Sequence, residues 1–346
     1  MTKTLSLSKT CLVAALAFLL LPALSQAAGY TYQTINDNKD PQFNQLLGIN
    51  SSGEIAGYFG DGANLFNHGF TVVSPYAQAN FTDENFPGAS QTQVTGINSN
   101  STPITVGFWG DTAGDNFGWY NNGTSFKQVV NPSTPTTGVM TNQLLGVNDS
   151  KNAVGFYVGS TANAHAYEYS ISGNSFTAIT PTGATSATAT GIANNGAISG
   201  FFSDSTGTHG FIDISGTIKA YNDPMAGATG STIFLGVNSN GMVVGNYTDS
   251  SPKHISHGLI FDYLTDTWGP INDPFESGMT AFMVQNTIAN GINDAGDIVG
   301  FYSDGTNVDG FLATPTGVPE PASIGFTALA GLLFLGGSWR ARRRKA

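Results

Sequence analysis

Gly48-Ile49-Asn50-Ser51-Ser52-Gly53 is the stretch whose reading decides the fold, because its opening phrase returns five more times. The copies are Gly96-Ile97-Asn98, Gly146-Val147-Asn148, Gly191-Ile192-Ala193, Gly236-Val237-Asn238 and Gly291-Ile292-Asn293, at intervals of 48, 50, 45, 45 and 55 residues. Self-similarity at such a period outranks local propensity, since each unit is one supersecondary block that cannot bury its apolar face alone. A second glycine follows nine residues later in five units, at Gly57, Gly155, Gly200, Gly245 and Gly300. In the second unit it comes after eleven, at Gly107, where Ser101-Thr102-Pro103 lengthens the turn.

Within each unit the pattern is that of strands. Two apolar runs flank Asn-x-x-Gly, as in Asn238-Ser239-Asn240-Gly241 and Asn293-Asp294-Ala295-Gly296. Asn closes such a turn with its own side chain, and Gly accepts the positive φ at its exit. The second strand ends in aromatics: Tyr58-Phe59, Phe108-Trp109, Phe156-Tyr157, Phe201-Phe202, Tyr247, Phe301-Tyr302. After a polar loop the third strand opens at His68-Gly69-Phe70, Phe117-Gly118-Trp119, His165-Ala166-Tyr167, His209-Gly210-Phe211, His257-Gly258-Leu259 and Asp309-Gly310-Phe311. Turns such as Asn121-Asn122-Gly123 then begin a fourth strand. Four strands in 45 to 50 residues make one propeller blade.

The sixth unit runs out after its third strand, at Thr314-Pro315, and the missing fourth strand stands at the other end of the chain. Tyr32 to Asp37 closes on Ile35-Asn36-Asp37, like the fourth-strand endings Tyr221-Asn222-Asp223-Pro224 and Ile271-Asn272-Asp273-Pro274. Ring closure requires such an offset, and an open stack of hairpins does not. The expectation is an all-β, six-bladed propeller of four-stranded blades over residues 29–315, closed by its N-terminal strand. The phrase His165-Ala166-Tyr167, with Gly for Ala in other units, resembles the HAF family of extracellular repeats. That resemblance implies an extracellular repeat domain and no established chemistry.

The two ends read as addresses. Lys3 and Lys9, an apolar core from Leu12 to Leu24, and Ser25-Gln26-Ala27 form a signal peptide over residues 1–27. At the other end Pro319-Glu320-Pro321 precedes an apolar stretch from Ile324 to Ser338, then Trp339, Arg340, Arg342, Arg343, Arg344 and Lys345. A prolyl stem, an insertable anchor helix and a positive cytoplasmic cluster, in that order, resemble the PEP-CTERM sorting signal over residues 318–346. The resemblance implies recognition of Pro319-Glu320-Pro321 by an exosortase, transient membrane anchoring, and a Gram-negative host that makes exopolysaccharide. The expected address is the cell surface or extracellular matrix.

Composition removes whole classes of function. Cys11, the only cysteine, leaves with the signal peptide, which excludes disulfides, a thiol nucleophile and thiolate metal sites. Between the two ends stand five lysines, no arginine and 22 carboxylates, a net charge of about −17. Such a body repels phosphate backbones, so nucleic acid is not an expected partner.

Two columns carry candidate chemistry. Four residues beyond the second glycine stand Asp61, Asp111, Asp204, Asp249 and Asp304, with Gly159 the lone departure. Together with carboxylates of the blade connections (Asp37, Asp40, Asp83, Glu84, Asp223, Asp273, Glu276) they predict one strongly acidic face. They either collect Ca²⁺ through oxygen ligands or cap their own loops. His68, His165, His209 and His257 open four third strands close to that column, and each His–Asp pair is expected as a hydrogen bond within its blade. No nucleophile elbow, phosphate loop or zinc-protease motif occurs, and nothing in their spacing selects a pair from Glu54, Glu84, Glu168 and Glu276. The expected function is a non-catalytic binding or structural module near exopolysaccharide and other surface glycans, with no catalytic residue assigned. The competing reading is a secreted propeller hydrolase or lactonase with a cation in the central channel. An even ring of turn-capping Asp favours the first, and an asymmetric acidic cluster at the channel mouth favours the second.

Overall fold

Six repeated units become six four-stranded antiparallel sheets, each one blade. The computed structural model describes residues 29–271 and 286–316. Blades 1 to 5 are meanders whose first strands surround the axis: Asn44–Ile49, Gln91–Ile97, Asn142–Val147, Ser186–Ile192 and Ser231–Val237. Blade 6 takes Asn286–Ile292, Ile298–Ser303 and Val308–Pro315 from the end of the chain, and Tyr30–Thr34 from its beginning. Tyr30 pairs with Pro315 and Thr34 with Phe311, and Ile35 N–H donates to Gly310 O at 2.9 Å. The closure expected from the offset repeat is the one observed.

The repeated glycines are where backbones meet. A Cβ on Gly48 would stand 3.1 Å from Gly96 Cα, and the same encounter passes round the ring through Gly146, Gly191, Gly236 and Gly291 back to Gly48. Innermost strands converge on the axis, so a side chain here would force the blades apart. The second glycine of each unit lies under a β-bulge of the first strand, as between Leu46 and Gly48. A Cβ on Gly57 would lie 2.3 Å from Gln45 O, and one on Gly245 2.0 Å from Ile233 O. The bulge leaves no room for more than hydrogen.

The repeated asparagines staple the blades. Asn50 Oδ1 accepts from the backbone of Ser52 and Glu54, closing its own turn, while Nδ2 donates to Asn98 O at 3.1 Å. Asn98 donates likewise to Asn148 O, Asn148 to Ala193 O, Asn238 to Asn293 O and Asn293 to Asn50 O. Blade 4 has Ala193 in this column, and Asn195 takes over with a bond to Ser239 O at 3.1 Å. Apolar cores lie between blades: Val154 and Ala166 of blade 3 pack with Ala187, Ala189 and Phe211 of blade 4. Fully buried aromatics such as Phe70, Phe234 and Phe311 recur around the ring, each stabilising it by about 1.5–3 kcal/mol.

The expected signal peptide, the sorting tail with its anchor helix, and Asp273 and Glu276 in the connection 272–285 lie outside the described residues. Among the described residues no helix is long and apolar enough to cross a membrane.

Candidate functional site

Meander order brings the loops between second and third strands to the same face as the connections between blades, as the sequence predicts. The aspartate column stands on that rim, and each member caps its own loop. Asp61 Oδ1 accepts from the N–H groups of Ala63, Asn64 and Leu65 at 2.9, 2.7 and 3.1 Å. Asp111 accepts from Ala113 and Asp115, Asp204 from Thr206, Asp249 from Ser251, and Asp304 from Thr306 and Asn307. Donors aimed at the ionised form hold three of these acids far below the usual range. Asp61 falls to about 2, chiefly through Leu65 N–H. Asp204 and Asp249 fall to about 2 through the hydroxyls of Thr206 and Ser251 first, with their histidines adding less. Asp304 is lowered by the N–H of Asn307 and then of Thr306.

The histidine column is mainly a stacking device. Each ring lies directly across from the last aromatic of the second strand, with Phe59 opposite His68 and Tyr157 opposite His165. Centroids are 5.1 Å apart for Phe59–His68, 5.0 Å for Tyr157–His165, 5.2 Å for Phe202–His209 and 4.9 Å for Tyr247–His257. The expected His–Asp bond forms in two blades only, His209–Asp204 at 3.2 Å and His257–Asp249 at 3.1 Å. In blade 1 the carboxylate of Asp61 is turned to its own loop, and blade 3 has Gly159 in the column.

Some of the carboxylates expected on the strongly acidic face are turned inward. Asp37 and Asp223 are buried at 0% and 5% exposure, where they hold the blade connections. Asp37 accepts from Lys39 N–H and Gln78 Nε2, and Asp223 from Met225 N–H. Burial raises the pKa of Asp223. Glu84 is also engaged, accepting from Thr105 Oγ1 at 2.6 Å and Asn121 Nδ2 at 2.9 Å of blade 2. Glu54 is raised by burial first, with the charge of Glu84 adding a smaller push. Among the described residues no group of three or more His, Cys, Asp or Glu is arranged to hold a metal ion.

Along the axis one mouth is lined in alternation by Leu47, Thr95, Leu145, Thr190, Leu235 and Asn290. The polar members turn to backbone: Thr95 Oγ1 donates to Leu144 O, Thr190 Oγ1 to Phe234 O and Asn290 Nδ2 to Leu46 O. At the opposite mouth the carboxylates are Asp149 and Asp294, three blades apart. Asp149 accepts from Ser99 N–H and Asn194 Nδ2, and Asp294 from Ser239 N–H. Neither mouth gathers carboxylates around a point.

A cavity of about 440 Å³ opens between blades 3 and 4. Tyr157, His165 and Tyr167 stand on one wall, and Ser133, Thr180 and Thr185 carry hydroxyls at it. No charged side chain lines it. Sequence reading did not identify this cleft, although Gly159, one of the departures beside it, was visible as a gap in the aspartate column.

No protein-family model matches the chain, and no curated protein is similar to it. Solved structures are. The putative TolB from Agrobacterium tumefaciens is 11% identical, with 84% of this chain and 100% of that one covered and a TM-score of 0.54. AofleA from Arthrobotrys oligospora is 12% identical over 83% of this chain and 88% of its own, with a TM-score of 0.49. The Aleuria aurantia lectin, described as a six-bladed β-propeller with a novel fucose recognition mode, is 13% identical over 85% and 97%, with a TM-score of 0.44. The first of these likenesses agrees with the strand order, and what the chain shares with it is the propeller fold.

Proposed function

We propose that the chain is a non-catalytic binding or structural module of the bacterial surface, exported and sorted by an exosortase into the exopolysaccharide layer. The observation that carries this reading is the repeated column of capping aspartates: Asp61, Asp111, Asp204, Asp249 and Asp304 each turn Oδ1 onto donors of their own loop, with Gly159 the one gap, in blade 3. A catalytic site breaks repeat symmetry with carboxylates set to face a substrate, and here the repeated acids serve as loop caps in blade after blade. The address rests on the sorting-type tail, Pro319-Glu320-Pro321 followed by an apolar stretch and a basic cluster. The glycan context is the one that the PEP-CTERM resemblance implies.

Co-sedimentation tests the reading. The exported protein, mixed with exopolysaccharide isolated from an exosortase-bearing host, should pellet with the polymer and leave its chain length unchanged. Depolymerisation of the polymer by the protein overturns the non-catalytic reading.

A further inference from the structure

Four departures from the six-fold repeat converge on the cleft between blades 3 and 4. Written one unit under another, the residue four places before the opening glycine is Asn44, Thr92, Asn142, Ala187, Thr232 and Thr287. In four blades this side chain clamps the preceding connection, accepting from the N–H of Asp37, Phe86, Asn131 and Asp223 at 2.8–3.1 Å. Blade 4 has Ala187 there, and the residue that would donate is Pro181, which has no N–H. Donor and acceptor are missing together, so the clamp is absent without leaving a buried polar group unpaired.

The third departure fits the same space. The third strands of the other five blades carry glycine at Gly69, Gly118, Gly210, Gly258 and Gly310. A Cβ there would strike Val94 Cγ2 at 2.6 Å, Asn142 Nδ2 at 2.8 Å or the Phe234 ring at 2.8 Å. Blade 3 accepts Ala166 because the facing residues of blade 4 are Ala187 and Ala189. The fourth is Gly159, which removes the rim carboxylate next to His165; a Cβ there would approach His165 Nε2 to 2.7 Å. His165 is left exposed, stacked on Tyr157, with no hydrogen bond to its ring among the described residues.

We infer that this cleft is a binding site for a neutral saccharide, which deepens the binding-module reading above and rests on it. The size lies within the range of small-molecule sites. A body of net charge about −17 presents here a wall without carboxylate or ammonium, which suits a ligand that is neither cation nor anion. Tyr157 and His165 offer ring edges and faces for the apolar side of a pyranose, while Ser133, Thr180 and Thr185 offer hydroxyls that both donate and accept.

Saturation-transfer NMR of the purified exported protein with methyl glycosides of neutral hexoses and deoxyhexoses tests the assignment. At least one glycoside should bind, and Ala187→Thr, which restores the repeat residue and fills the cleft, should weaken it at least tenfold. His165→Ala should do the same and, being at the surface, keeps the test open if Ala187→Thr misfolds. His68→Ala removes the equivalent stacked ring in blade 1 and should change binding less than twofold. Absence of binding by all glycosides, or binding within twofold of wild type in both cleft variants, overturns the site. Retention of polymer co-sedimentation by those variants would leave the broader reading standing without this cleft.

Discussion

Asn293 Nδ2 donates to Asn50 O at 3.2 Å and so joins residues 243 positions apart. With Asn238 and the asparagines of blades 1 to 3 it forms a belt of carboxamides that each cap one turn and grip the next blade. Replacing Asn293 by Ala removes the grip and exposes two turn N–H groups, those of Ala295 and Asp297. The expected loss is about 1–3 kcal/mol, read as a lower urea midpoint with an unchanged slope.

The N-terminal strand is the other seam. Deleting residues 29–37 strips the Val308–Pro315 strand of its outer partner, leaving it paired only with Ile298–Ser303, and removes Ile35, 2% exposed, from the core. An unpaired edge invites association with other chains. The truncated protein should lose cooperative thermal unfolding and aggregate on heating, as followed by light scattering.

Lys151 occupies a left-handed position, φ 64°, where the matching turns use Gly53, Gly196, Gly241 and Gly296 at φ 79–89°. Left-handed backbone costs an L-residue about 1–2 kcal/mol, and the larger unfolded freedom of glycine offsets up to about 1 kcal/mol of that. Lys151→Gly should therefore stabilise the ring by about 0.5–1 kcal/mol, measurable by chemical denaturation.

Acid should unfold the protein partly through its loop caps. Asp61, Asp204 and Asp249 titrate at about 2 when folded, against about 3.9 unfolded. Their depressed values contribute stability that is complete above the unfolded value and lost as pH falls toward 2. Asp223, Glu54 and Glu168 are raised by burial and act oppositely, favouring folding below their unfolded values and losing that contribution as pH rises through the folded ones. Asp61→Asn keeps an acceptor but removes the titration, so the drop in Tm between pH 5 and pH 2.5 should shrink relative to wild type.

Calcium separates caps from ligands. The column aspartates sit on different blades, each with Oδ1 turned to its own loop and no second carboxylate gathered beside it to form a group of three among the described residues, so millimolar Ca²⁺ and NaCl of equal ionic strength should shift Tm equally. A larger shift with Ca²⁺ would show a cation site on the rim.

Blade number, strand order and closure were legible because backbone geometry repeats with the phrase that encodes it. Glycines that admit no Cβ and asparagines that close turns have one structural meaning each. Carboxylates do not: Asp223 looks like a rim acid in sequence, yet the path of the connection turns it inward onto Met225 N–H. The His–Asp pairing holds in blades 4 and 5 but not in blade 1, where Asp61 meets a nearer set of loop donors. The cleft was missed because Pro181 and Ala187 are unremarkable singly. They become informative only when one unit's connection is read against the next unit's first strand.

The central claim, a scaffold without catalysis, meets its most direct test in turnover. Purified exported protein should release no product above the buffer blank from a panel of chromogenic glycosides and lactones at pH 5 to 8. Sustained turnover that disappears in Glu54→Gln or Glu84→Gln would contradict the account and put the carboxyl pair between blades 1 and 2 to catalytic use.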